Sequence, residues 1–154
     1  MKHFISLVMA AAFAALSLPL AAHAAGMTEA QAAKQINAMA GTYVCASGKT
    51  THTATFKSLY GGRALVIDDG GNLDQNVFDA RRQKWIDEHI DSAGNYSVME
   101  GTPAAHGIDF TAAYPSGFDG KLVVHIPSTR KMTMRMTMTM NGRTHTDTET
   151  CTKK

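Results

Sequence analysis

Residues 131–140 read Lys131-Met132-Thr133-Met134-Arg135-Met136-Thr137-Met138-Thr139-Met140, with a methionine at every second position. A strand sends successive side chains to opposite faces. Met132, Met134, Met136, Met138 and Met140 therefore share one face, and Thr133, Arg135, Thr137 and Thr139 share the other. A helix would scatter the five thioethers around its circumference. The segment is a strand with one soft, apolar, sulfur-rich face. Asn141-Gly142 follows it, a strong hairpin signal between two alternating runs, and residues 143–152 return as the partner strand.

Asn-Gly admits two registers. A two-residue turn pairs Met140 with Arg143, Met138 with His145, Met136 with Asp147, Met134 with Glu149 and Met132 with Cys151. A three-residue loop with a bulge at Gly142 sets Met138 against Thr144, Met136 against Thr146 and Arg135 against Asp147. The two exclude each other, because a slip of one residue exchanges the faces. The bulged register is favoured on sequence grounds. It keeps Asp147 and Glu149 off the methionine face, where a carboxylate without partners is costly.

Period-two alternation extends back to Thr42, with runs at 42–47, 51–60, 63–68, 73–78, 84–90, 95–100, 107–112, 121–126 and 130–140. Turn residues separate them, among them Gly61-Gly62, Asp69-Gly70-Gly71-Asn72, Asp91-Ser92-Ala93-Gly94 and Pro127-Ser128-Thr129. Many short strands with regular turn signals predict an antiparallel meander. Ahead of them, Thr28-Glu29-Ala30-Gln31 matches a capping box and opens a short helix that runs to about Ala40. Ala33, Ile36 and Met39 or Ala40 mark its apolar face.

Cys45 and Cys151 are the only cysteines and lie in the first and last strands. An even cysteine count in an exported chain predicts a disulfide, which would bring the two ends of the meander together. The fold expectation is an all-β, antiparallel up-and-down barrel of about 8–10 strands, with a short N-terminal helix, closed by Cys45–Cys151. Export is read from Met1-Lys2-His3, an Ala-rich apolar run over 4–20, and Ala22-His23-Ala24. This is the pattern of a secretory signal peptide over 1–24, leaving a single domain at 25–154 in the periplasm or outside the cell. The apolar run is short for a bilayer span of about 20 residues, so no integral membrane segment is expected after processing.

Several segments resemble lipocalin-like (calycin) barrels. Gly41-Thr42-Tyr43-Val44-Cys45 after a short helix is similar to their opening strand, with Tyr43 where they carry Trp. Phe78-Asp79-Ala80-Arg81-Arg82-Gln83-Lys84-Trp85, Asp91-Ser92-Ala93-Gly94-Asn95-Tyr96 and the ending Thr150-Cys151-Thr152-Lys153-Lys154 resemble small exported bacterial lipocalin-like proteins of uncharacterised function. The resemblance implies the fold and leaves the activity open. Tyr43-Val44-Cys45 with the late Cys151 also resembles periplasmic lysozyme inhibitors, which are small barrels.

Charge and motif content narrow the function. Lys and Arg number 15 against 13 Asp and Glu, a near balance that argues against nucleic acid as partner. No G-x-S-x-G, H-E-x-x-H or P-loop is present. The carboxylates of Asp68-Asp69, Asp74, Asp87-Glu88 and Asp91 fall mostly at predicted turns, where Asp serves the turn itself. An enzyme is not expected, and no cofactor is called for. His52, His89, His106, His125 and His145 show no ligand spacing.

The expectation is a non-catalytic protein holding a small, largely apolar ligand in the barrel. Tyr43, Phe56, Trp85, Met132, Met134, Met136, Met138 and Met140 would line it, methionine being adaptable to irregular shapes. Two alternatives stand beside it. One is soft-metal binding, Cu(I) by thioethers, with Met138 and His145 as the first pair to consider, or haem. The other is a protein partner held through loops at 101–107 or 114–120.

Overall fold

A computed structural model describes residues 26–115, 119–140 and 142–154, except for the side chain of Met140. The expected leader over 1–24 lies outside the described residues. Helix α1 (Glu29–Met39) begins as its sequence requires. The Thr28 hydroxyl accepts from the Gln31 backbone N–H, and the Gln31 side chain accepts from the Thr28 backbone. This reciprocal cap satisfies two of the amide donors that a helix start leaves free. Its buried side chains are Ala32, Ile36 and Met39, so the stripe runs through Ala32, with Ala33 only half-buried.

Ten strands follow: β1 (Gly41–Ser47), β2 (Thr50–Leu59), β3 (Ala64–Asp68), β4 (Leu73–Asp79), β5 (Lys84–Ile90), β6 (Tyr96–Ala104), β7 (Gly107–Tyr114), β8 (Asp119–Ser128), β9 (Lys131–Met140) and β10 (Arg143–Lys153). Each pairs antiparallel with the next, and β1 pairs with β10 to close the barrel. The expected meander and its closure are both present. Closure removes the free edges that make an open sheet prone to aggregation.

Two boundaries differ from the sequence reading. The segment 101–107, expected as a loop, is mostly strand. Gly101 to Ala104 continue β6, and only Ala105-His106 turn. Gly101 lies between Trp85 and Phe110 in the ladder. A Cβ at Gly101 would come within 2.6 Å of the Phe110 ring, so the bare backbone there lets two aromatic side chains close over it. The turn expected at 127–129 shifts to Thr129-Arg130, after a register irregularity between His125 and Ser128. Of the expected 114–120 loop, Tyr114 ends β7, Asp119 and Gly120 begin β8, and 116–118 lie outside the described residues.

The bulged hairpin register is overturned. Met138 partners His145, Met136 partners Asp147, Met134 partners Glu149 and Met132 partners Cys151. The other face carries a threonine ladder, with hydroxyl oxygens 3.3 Å apart at Thr133–Thr150, Thr137–Thr146 and Thr139–Thr144. Two forces select this register. Cys45 and Cys151 are cross-strand partners bonded to each other inside the barrel, so Cys151 must share the methionine face. The carboxylate penalty also falls away, because Asp147 is exposed and accepts a 2.7 Å hydrogen bond from the Ser47 hydroxyl.

The barrel has a closed end and an open end. At the closed end α1 sits over Tyr43, Phe56, Leu65, Trp85, Phe110 and Met132, all buried in one cluster. Tyr43 ties that end together, its hydroxyl donating to the carbonyls of Met39 at 2.8 Å and Thr129 at 3.2 Å. Lys153 donates to the Ala38 carbonyl, and the Gln83 amide clasps the backbone of Met27 in both directions. These polar ties satisfy backbone groups that the short helix leaves free.

Candidate binding site in the open half of the barrel

Alternation places the site residues. Inward positions on β4 are Asp74, Asn76 and Phe78, and on β5 they are Trp85, Asp87 and His89, as their cross-strand pairing shows. On β2 they are His52, Ala54 and Phe56, and on β10 Asp147, Glu149 and Cys151. On each strand the member nearest α1 belongs to the packed core, as does Ala54 on β2, and the others lie toward the open half. In the circle of strands β9 stands across from β4, and β10 across from β5. One wall of the open half is therefore thioether and aliphatic, with Met134, Met136, Met138 and Leu122. Facing it on β4 and β5 are Asp74, Asp87 and His89, while Glu149 on β10, the cross-strand partner of Met134, and His52 on β2 carry the polar lining round to the β1–β10 seam.

The eight residues expected to line a pocket divide between these halves. Tyr43, Phe56, Trp85 and Met132 are buried in the packed end, where the Tyr43 and Phe56 rings lie 4.4 Å apart and Phe78 and Trp85 5.3 Å apart. Met134, Met136 and Met138 face inward yet are only half-buried, with Met134 and Met136 packed on one side against the core cluster. The side chain of Met140 lies outside the described residues.

The polar wall is organised in pairs. His89 Nδ1 stands 2.7 Å from Asp74 Oδ1, and His52 Nδ1 stands 3.5 Å from Glu149 Oε1. Burial pushes the Asp74 carboxyl up, against the stabilising contact with His89. Burial also raises Glu149, His52 opposes it, and the negative charges of Asp69, Asp147 and Asp74 add to the rise. Asp87 is the extreme case. It is 6% exposed, and burial, with the nearby Asp74 charge, lifts its carboxyl to about 7. Like charges crowded in a site of reduced dielectric hold protons that isolated carboxylates would release. Asp69, in the adjoining turn, behaves differently. Against the pull of its own burial, hydrogen bonds from Asn72 and Gly71 hold it below the usual carboxylate range.

Sequence reading assigned most of these carboxylates to turns. That is correct for Asp68, Asp69 and Asp91, which accept hydrogen bonds from turn amides. Asp74 and Asp87 lie in strands, inside the expected runs 73–78 and 84–90, and what the sequence reading missed is that both point inward. The available signal was alternation: Asp87 and His89 share the face of Trp85, a residue already assigned to the interior. Of the five histidines that follow residue 24, His52 and His89 belong to the polar lining. His106, His125 and His145 are exposed, and His106 pairs with Asp109 at 2.7 Å.

As a metal site the arrangement is incomplete. Among the described residues, the one group with three His, Cys, Asp or Glu ligand atoms within 4.8 Å of one another is Cys45, Glu149 and Cys151. Both of its sulfurs are committed to the disulfide, so no thiolate remains. Met138 and His145 are cross-strand partners at the rim, bringing one thioether and one imidazole together. A separate cleft of about 400 Å³ lies at the closed end between α1 and the β2–β3 turn, with Ala33, Ile36, Gly62 and Arg63 among its lining. It holds no cluster of titratable groups comparable with the interior wall.

The fold and site together define a class: a closed ten-stranded antiparallel barrel with a helix packed at one end and an interior that combines half-buried methionines with carboxylates and imidazoles. Comparison with models of known protein families and with characterised proteins gives no match.

Proposed function

We propose that this is an exported, non-catalytic binding protein of lipocalin-like build, holding a small, largely apolar ligand in the open half of its barrel. The observation that carries the reading is the state of Met134, Met136 and Met138. They face inward on a wall with Leu122; Met134 and Met136 pack on one side against the core cluster, yet all three stay only half-buried. An apolar inward surface still in contact with water is surface that a ligand can cover, at roughly 25 cal/mol per Å² removed from water. Methionine suits such a wall because its unbranched thioether adapts to different shapes. The disulfide is in keeping with an oxidising compartment. Native mass spectrometry of the protein purified from its own host is the direct test. The expected spectrum carries a small-molecule adduct that organic solvent removes; a ligand-free spectrum together with an interior that binds no hydrocarbon probe defeats the reading.

A second reading rests on the hairpin register, which makes Met138 and His145 neighbours. One thioether and one imidazole offer a soft site suited to Cu(I). Titration against a chromophoric Cu(I) chelator tests it, and failure to compete at micromolar protein ends it.

A further inference from the structure

Asp87 is the buried charged residue among those described, and its Oδ1 has no hydrogen-bond partner among them. Two positions earlier on the same inward face, Nε1 of Trp85 is also buried and without a partner. Buried polar atoms in folded proteins are almost always satisfied, because an unpaired carboxylate oxygen forfeits its hydration for nothing. A donor is missing at this point of the interior.

The surroundings say what kind of donor fits. Facing Asp87 are Asp74 and Asn76 from β4, His89 from its own strand, and Ser97 and Met99 from β6. Across the interior, Glu149 on β10 and His52 on β2 extend the polar lining, with Asp69 near enough to act on both. His89 is committed to Asp74 and His52 lies against Glu149. The cations on the inward face of the hairpin lie at its two ends: Arg143 at the exposed rim beyond Met138, and Lys153 at the closed end, where it donates to the Ala38 carbonyl. A neutral donor would satisfy Oδ1 and leave the carboxylates repelling one another. A cation relieves both. A single metal ion is the poorer candidate, because these wall residues do not bring three ligand atoms within 4.8 Å.

We propose that the open half of the barrel takes a small organic cation, a protonated amine on an apolar body, with Asp87 Oδ1 as its buried acceptor. Asp74 and Glu149 supply the flanking negative charge, and Met134 and Met136 cover the apolar part. This deepens the binding reading above and rests on it.

The test compares octylamine, 1-octanol and octanoate, which share one hydrocarbon chain and differ in charge. Binding is followed by calorimetry and by the fluorescence of Trp85, the single tryptophan, on the disulfide-intact protein. At about pH 8.5 octylamine binds roughly tenfold tighter than octanol or better, as for a hydrogen bond to a charged group, and octanoate binds worst. The amine's advantage shrinks below about pH 7 as Asp87 takes up its proton. Asp87→Asn brings octylamine to within about twofold of octanol and leaves octanol unchanged. Glu149→Gln, on another strand, lowers the amine's advantage in part and carries the test if the first variant does not fold. Equal binding of all three probes overturns the cation assignment and leaves the apolar site standing. Failure of octanol and the other two to bind overturns both.

Discussion

Cys45 and Cys151 face each other directly across the β1–β10 seam, with Cα atoms 4.0 Å apart, 106 residues apart in the chain, and sulfurs bonded. Every inward position on β9 follows from that pairing, because Cys151 partners Met132 on the next strand. Closing a loop of this length restricts the unfolded chain by about 4–5 kcal/mol in the loop-entropy picture. Reduction, or Cys45→Ser with Cys151→Ser, is expected to lower unfolding stability by about 2–5 kcal/mol. Urea unfolding with and without reductant measures it.

Asp87 predicts an unusual pH dependence. Its folded carboxyl titrates at about 7, against about 3.9 in an unfolded chain. Between those values the folded state holds a proton that the unfolded state releases. Stability contributed by this group is therefore full below about pH 4, falls as pH rises, and is lost above about pH 7. Asp87→Asn removes the titration. The variant is expected to be more stable than the parent at about pH 8, by a few kcal/mol at most, with the gain vanishing near about pH 4. Denaturant midpoints across that range decide it, and a parallel pair of pH curves would contradict the assignment.

The division of the methionine face predicts unequal costs along one strand. Met132 is buried against the disulfide at the packed end, and Met136 is half-buried in the open half. Met132→Ala is expected to cost about 2–5 kcal/mol, as for a buried side chain leaving a cavity. Met136→Ala is expected to cost less than about 1 kcal/mol, since water already reaches that site. Thermal unfolding of the two variants gives the comparison.

Hydrocarbon burial predicts a regular length dependence. Each buried methylene contributes about 0.8 kcal/mol, so affinity for a series of alcohols is expected to rise about fourfold per carbon until the open half is filled. Met134→Ser with Met136→Ser flattens the series by making that wall polar. Titrations with alcohols of increasing length read both effects.

Local signals in the sequence alone determined the helix cap, from Thr28 and Gln31, and, by alternation and turn residues, a meander of about 8–10 strands with five methionines on one face. These are local properties: backbone geometry gives a strand its period of two, and turn chemistry ends it. The presence of Cys45 and Cys151 in the terminal strands carried closure as well.

Only the tertiary structure decided the hairpin register and the use of the inward carboxylates. On sequence grounds, burying Asp147 and Glu149 with methionine is costly, which argues for the bulged turn. That cost depends on access to water, and access depends on which end of the barrel α1 covers. With the far end open, Asp147 is solvated, Glu149 meets His52, and the disulfide sets the pairing. The same nonlocal geometry brings Asp74, Asp87 and Glu149 from three strands into one interior. No spacing within a single strand encodes that meeting, because it arises from barrel closure and from the solvent the closed end excludes.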